Sequence, residues 1–338
     1  MILWISNNGE DYGDAIYYAL HKKYPDETVT WPDKPNYYED KSNFLNCHYN
    51  LNRNSVTKED IISANRNNNL KAVFILSSGY RVWPYWEELR QELYKDGKNF
   101  PVIIIDQADG DRIQYDPSDW DLYFAREFNM GPLRHEESHY PEFQRVAKLL
   151  GEYPKNVFPL PFSIIPEKFC PILRSNGDGT TYPYMEYKRD VFFRGAYGKQ
   201  RAKYLDGVHI DNSLIDIHTH TPIHQQNRIE FFNLIQSSKI NLNITAGGND
   251  CMRFWELLGC GGFVLTEEHN QVIEPKLGID TFNTREEMLD KINFYLLHEI
   301  LREEIRLATY RFAMENHTCY NRLDYILRET KKLGWEIA

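Results

Sequence analysis

Arg253 and Glu256 stand three residues apart in MRFWELLGC, a stretch whose apolar residues recur at helical spacing. On a helix they share one face, a turn apart. The preceding loop, Thr245 to Asp250, reads T-A-G-G-N-D and ends in residue types that cap helices. A helix start presents free backbone N–H groups and partial positive charge, which suit a phosphate. Arginine holds phosphate oxygens with a planar fork, and a carboxylate accepts two hydroxyl donors. Phosphate and hydroxyls together describe a nucleotide sugar. In the loop, Thr245, Gly247, Gly248 and Asn249 are the expected contacts, because glycines let backbone approach a ligand closely. The competing readings are an i,i+3 ion pair on a surface helix and a plain turn.

Three further clusters could do chemistry. Arg194, Gly195, Lys199 and Arg201 lie in F-F-R-G-A-Y-G-K-Q-R, between a strand and a helix. Cations at a strand's carboxyl end suit a diphosphate, and Arg194 is the first choice. The spacing is not that of a Walker A loop. Asp106, Asp109 and Asp111 follow the apolar run V-I-I-I. There a carboxylate could take a proton from an acceptor hydroxyl, with Asp106 and Asp109 named for that role. A magnesium site and a solvated acidic turn are the alternatives. His218, His220 and His224 alternate as strand residues would, but no carboxylate or cysteine completes a metal site, so no metal is expected there. Gly9 and Gly13 follow the first strand among acidic residues, a weak signal for ligand contact.

Short apolar runs and helical patterns alternate through the first half. Strands are expected at 2–6, 71–78, 100–107 and 120–128, with helices at 14–24, after Lys58 and over WPYWEELRQELYKDG. Helices between hydrophobic strands imply a mostly parallel sheet. Residues 154–190 are rich in Pro and Gly and read as a linker. The pattern then restarts at Arg189 with strand, turn and helix, and INLNI reads as an alternating strand. Thr284 and Glu287 form a capping box ahead of a long helix carrying Met288, Ile292 and Leu296 on one face.

The chain has 338 residues and a formal charge of −10, which sets aside a broad electrostatic grip on nucleic acid or anionic lipid while leaving a local basic pocket open. Its five cysteines are widely spaced, without C-x-x-C, and favour reduced thiols in a cytoplasmic setting. No apolar run is long enough to span a membrane, and the start reads as no signal peptide. Peripheral membrane contact remains compatible with these features.

The string R-F-W-E-L-L-G-C-G-G-F-V-L-T resembles the donor-site signature of GT-B glycosyltransferases, closest to the group 1 and spore-maturation-like enzymes. The late segments NTREEMLDKINFYLLHEILREEI and NHTCYNRLDYIL are similar to that family's final helices. F-R-G followed by a later arginine also occurs in exostosin-like transferases. The resemblance covers roughly the last hundred residues well. It implies an α/β protein of two Rossmann-like domains facing a cleft. Residues 1–165 would hold the acceptor and 166–318 the nucleotide-sugar donor, while 319–338 would form a helix crossing back to the first domain. It further implies glycosyl transfer to a hydroxyl of a glycan, a lipid-linked glycan or another acceptor, with no obligatory cofactor. Glu256 would hold ribose hydroxyls and Arg253 would lie near the diphosphate. Retaining relatives carry a second glutamate earlier in the loop. Here Gly248 stands eight positions before Glu256, so the resemblance does not carry that mechanism over. The alternatives are an epimerase or hydrolase of the same fold and a non-catalytic nucleotide-binding module.

Overall fold

A computed structural model describes residues 1–6, 13–31, 54–77, 84–95, 97–106, 115–126, 155–169, 173–175, 181–218, 228–245, 251–268 and 277–337. These divide into two compact units. One takes in the described residues up to Pro161 and from Cys319 on; the other runs from Phe162 to Thr318.

The first unit is built on six parallel strands in the order β2-β1-β3-β4-β5-β6. They are β1 (Ile2–Ser6), β2 (Thr28–Thr30), β3 (Ala72–Ser77), β4 (Val102–Asp106), β5 (Leu122–Ala125) and β6 (Val157–Pro159). The side chains of Ala72 to Leu76 and Val102 to Asp106 are all buried, so both faces of these central strands are covered. That explains why they read as unbroken apolar runs. Helices α1 (Gly13–Lys23), α2 (Lys58–Arg66) and α3 (Pro84–Lys95) form the crossovers. Thr57 starts α2 with a reciprocal capping box to Asp60. The last helix, α10 (Cys319–Lys332), lies on α1: Lys23 reaches Asp324 at 2.6 Å, and the rings of Tyr18 and Tyr320 sit 6.4 Å apart.

The units divide between Pro161 and Phe162, inside the 154–190 stretch read as a linker, but strand β6 places Val157 to Pro159 in the first sheet. Its residues pair with β5 from Tyr123↔Val157 to Ala125↔Pro159. A strand ending in proline is tolerated here because it is the sheet edge, where a missing N–H costs no ladder bond.

The second unit repeats the pattern with five parallel strands in the order β10-β9-β11-β12-β13. They are β9 (Arg189–Ala196), β10 (Leu214–His218), β11 (Ser238–Asn243), β12 (Val264–Glu267) and β13 (Asp280–Phe282). A short antiparallel pair, β7 (Leu173–Ser175) and β8 (Thr181–Pro183), and the single turn α4 (Pro166–Phe169) precede them. The connecting helices are α5 (Lys199–Leu205), α6 (Arg228–Gln236) and α7 (Met252–Gly259). Two helices follow β13: α8 (Arg285–Leu297) and α9 (Glu299–Asn316).

Two expectations change. INLNI reads as an alternating strand, yet Asn241 and Asn243 are fully buried alongside Ile240 and Leu242. β11 is the central strand, so even its polar side chains are enclosed, and Asn243 donates to Thr266 Oγ1 at 3.0 Å. The long helix after Thr284 is broken at His298, whose backbone (φ −109, ψ 64) leaves the helical range. Thr284 accepts the Glu287 amide as expected, but the Glu287 carboxylate reaches back to Asn283 N, one residue before the cap.

In each unit the first strand lies between the second and the third. The connections therefore leave it in opposite directions, and a crevice opens at the carboxyl ends of β1 and β3 and, separately, of β9 and β11. Open α/β sheets bind ligands at such points.

Candidate active site

At the β9–β11 switch point the chain concentrates buried positive charge. Arg201, on α5, is 4 % exposed; Arg253, in the first turn of α7, is 7 % exposed. Both guanidinium groups lie over the ring of Phe193, at 5.7 Å and 4.9 Å from its centroid. Arg201 donates from Nε to Ile244 O at 3.0 Å and from Nη1 to Ala196 O at 2.7 Å. It thereby ties the end of β9 to the residue following β11. Arg253 has no such anchor: its Nε and Nη1 are buried without a hydrogen-bond partner among the described residues. Burial first, and the neighbouring Arg253 second, pull the Arg201 pKa down to about 10, still well above neutrality. Two cations therefore sit side by side, and no carboxylate forms an ion pair with either among the described residues. Buried charges are ordinarily paired, and a buried guanidinium with two unpartnered nitrogens suits an anion.

Gly195 makes this arrangement possible. A Cβ at that position would lie 2.6 Å from Arg253 Nη2 and 3.0 Å from Arg201 Nη1. Gly195→Ala is therefore expected to leave the fold intact, since only flexible side-chain ends must move, while shifting both guanidinium groups off their positions. Calorimetry should show nucleoside diphosphate affinity reduced about tenfold or more, the loss of one charged hydrogen bond. Unaltered affinity would remove the pair from the site.

Helix α7 adds its amino-terminal end. The cap residue is Cys251, extended at φ −112, ψ 123, and its side chain makes no capping hydrogen bond. The cap residue is thus Cys251 and not the expected Asn or Asp, and no side-chain oxygen covers the first amides of the helix among the described residues. Glu256 follows one turn on, half-buried, with no hydrogen bond or ion pair of its side chain among the described residues. The surface Arg253–Glu256 ion pair is thus not formed.

Thr245 stands at the end of β11, 6 % exposed. Its amide and hydroxyl both donate to Glu267, a fully buried carboxylate at the end of β12 that also accepts from Gln200 Nε2 at 3.0 Å. Thr245 is thereby held to the sheet, and its hydroxyl is engaged. Glu267 and Gln200 were not among the sequence candidates. The signal was present in T-E-E directly after a buried strand, where a carboxylate has no apolar role.

Arg194 lies elsewhere. Alternate residues of a strand face opposite sides. Phe193 and Gly195 face the guanidinium pair, so Arg194 points to the other side of β9. There its Nε meets Asp216 at 3.0 Å and its Nη1 approaches Glu230 at 3.6 Å. The period of two separates neighbours that looked like one basic cluster. Lys199 is exposed at the first residue of α5.

In the first unit, Asp106 ends β4 at 1 % exposure and accepts a hydrogen bond from the Tyr123 hydroxyl. Asp109, Asp111, Gly9, Gly247, Gly248, Asn249, His220 and His224 lie outside the described residues, as does the His218 side chain. Among the described residues no group of His, Cys, Asp and Glu is arranged to hold a metal ion, and no helix is long and apolar enough to cross a membrane.

The family model described as "Glycosyl transferase-like" matches residues 205–328. No curated protein matches. The solved structure of Alr3699/HepE from Anabaena in complex with UDP is 9 % identical, with a TM-score of 0.55 over 98 % of this chain and 99 % of that one. The pneumococcal O-GlcNAc transferase GtfA in complex with UDP and GlcNAc is 10 % identical over 81 % and 59 %, TM-score 0.39. TarM is 11 % identical over 76 % and 54 %, TM-score 0.41. Two parallel Rossmann-like sheets and the likeness to the HepE structure define the fold class, GT-B, and residues 205–328 are similar to the glycosyl transferase-like family model.

Proposed function

We propose that the protein moves a sugar from a nucleoside diphosphate sugar to a hydroxyl of a glycan, a lipid-linked glycan or another acceptor. The second unit takes the donor and the first the acceptor. The observation that carries this reading is the pair of buried guanidinium groups over Gly195 at the β9–β11 switch point. When the bond from the anomeric carbon to the diphosphate breaks, negative charge grows on the leaving phosphate. Cations and helix amides already aimed at that place stabilise it without reorganising. Arg253 supplies the direct contact, Arg201 a fixed field, and α7 its free amides. Glu256 accepts hydrogen bonds from the ribose hydroxyls. Thr245 is fixed by Glu267 just before residues 246–250, of which Gly247, Gly248 and Asn249 are assigned to the donor together with Lys199.

For the acceptor, the proton goes to the acidic stretch that starts with Asp106, the last residue of β4, and includes Asp109. The burial of Asp106 beneath Tyr123 favours Asp109 as the group that reaches the hydroxyl. The string from Arg253 to Thr266 supports placement among group 1 and spore-maturation-like transferases. The division near residue 165 and the return of 319–338 to the first domain belong to the same reading. The UDP in the HepE structure makes uridine the first base to test.

The test is a thermal-shift and calorimetric screen of nucleoside diphosphates and their sugars, with and without magnesium. A ligand bound only by the folded state raises apparent stability. One nucleotide should give a saturable shift that Arg253→Ala abolishes, and acceptor-dependent loss of the donor should follow. Binding without turnover would instead identify a binding module. Donor consumption without acceptor would identify an epimerase or hydrolase. Absence of any nucleotide binding would overturn the assignment. Glu256→Ala should weaken nucleotide-sugar affinity by about 1–2 kcal/mol, the cost of losing hydrogen bonds to a charged group, with an unchanged melting curve. Equal affinity for the 2′-deoxynucleotide and the ribonucleotide in the unaltered protein would take Glu256 away from the ribose.

A further inference from the structure

A cavity of about 460 Å³ lies in the second unit along α6; its Glu230 end meets Arg194, on the face of β9 opposite Phe193 and Gly195. Its lining includes Tyr184, Glu186, Lys188, Asn233 and Gln236, with Arg189 and Ser237 at one end and Glu230 at the other. Arg189 begins β9 and Gly195 nearly ends it. Six strand residues at about 3.3 Å each separate the two by roughly 20 Å, so this cavity is not part of the nucleotide site.

The chemistry of the lining is specific. Glu186, Lys188 and Asn233 are exposed and Gln236 is half-buried, and the side chains of all four make no hydrogen bond or ion pair with other described residues, so their polar groups are open to a ligand that enters the hollow they line. Carboxylates and amides are planar groups that pair with neighbouring hydroxyls as acceptors and donors. Tyr184 adds an aromatic body with a polar tip, and its ring is stacked by Arg174 at 3.3 Å, which fixes its orientation. The lining carries two carboxylates, Glu186 and Glu230, and two cations, Lys188 and Arg189; Glu230 also lies 3.6 Å from Arg194, and Arg189 donates to Ser237 Oγ at 3.0 Å. A balanced lining gives no net attraction to a polyanion and leaves a neutral, hydroxyl-rich ligand as the match. The volume falls within the usual range of small-molecule sites, about 300–1,000 Å³.

We propose that this cavity is a carbohydrate-binding site for a neutral oligosaccharide, separate from the catalytic centre. It would hold a stretch of glycan on the donor unit while the reaction proceeds elsewhere, and its existence does not depend on which nucleotide the enzyme uses.

The experiment titrates the full chain with neutral tri- and tetrasaccharides of glucose, galactose and N-acetylglucosamine, read by saturation-transfer NMR and calorimetry, with a sulfated oligosaccharide as the charged control. The double variant Asn233→Ala, Gln236→Ala changes side chains on a helix and places a strong helix former at each position. At least one neutral oligosaccharide should bind saturably, saturating UDP should not displace it, and the double variant should bind it at least tenfold more weakly. The variant's melting curve and its response to UDP should stay unchanged, which separates this site from the nucleotide site. No binding of any neutral oligosaccharide, displacement by UDP, equal binding by the variant, or a preference for the sulfated ligand would each overturn the proposal.

Discussion

Arg253→Met will make the ligand-free protein more stable and the nucleotide-bound protein weaker. The two effects have one cause. In the empty site the Arg253 guanidinium is buried, beside Arg201, with two of its nitrogens unpartnered. Methionine fills similar space without a charge to desolvate, so stability in urea should rise by about 1–3 kcal/mol, the cost of leaving such a group unsatisfied. Binding moves the other way. A hydrogen bond between charged partners contributes about 1.5–3 kcal/mol, and 1.4 kcal/mol is tenfold in affinity. Nucleoside diphosphate affinity should therefore fall roughly ten- to a hundredfold. An ordinary core arginine would show destabilisation without any change in ligand affinity, and that result would refute the anion-site reading.

Gly261→Ala should be the most damaging single-methyl change in the second unit. Gly261 follows α7 with φ +74, a conformation in which a side chain crowds its own carbonyl. A Cβ there would also lie 2.6 Å from two carbons of Pro183. Neither side can yield easily, because Arg306 donates to Gly261 O at 2.9 Å and to Pro183 O at 3.1 Å, clamping the two segments together. Backbone strain and overpacking together should cost about 2–4 kcal/mol. Gly207→Ala is the control: φ is +66 but nothing lies within 4 Å of the added methyl, so only the backbone term, about 1–2 kcal/mol, should appear. Urea midpoints for the two variants measure the difference. Equal losses would mean that the Pro183 contact yields.

The parallel sheets were legible because V-I-I-I, I-L-W-I and V-F-F are apolar runs of strand length between helical patterns. The place of Arg253 in the first turn of a helix was legible because M-R-F-W-E-L-L carries apolar residues at helical spacing. Other features were hidden by physics that one dimension does not carry. V-F-P at 157–159 is too short and too proline-bound to announce an edge strand, and its partner β5 settles it. Arg194 and Gly195 are neighbours in sequence yet face opposite sides of β9, so the favoured cation pairs with Asp216 while the glycine sits under Arg253 and Arg201. Arg201 matters through carbonyl oxygens at the ends of two strands, and Glu267 through an amide 22 residues earlier. Such partners meet only when the sheet assembles.

The anchoring of Arg201 to Ala196 and Ile244 has a kinetic side. A cation already fastened to backbone loses little motional freedom when a phosphate arrives, so mutual repulsion with Arg253 is the force a ligand relieves. An uncharged nucleoside relieves none of it. On the proposed reading the arginine pair selects by charge before shape: a free nucleoside should pass in and out as a transient visitor, and residence time should lengthen with each phosphate added.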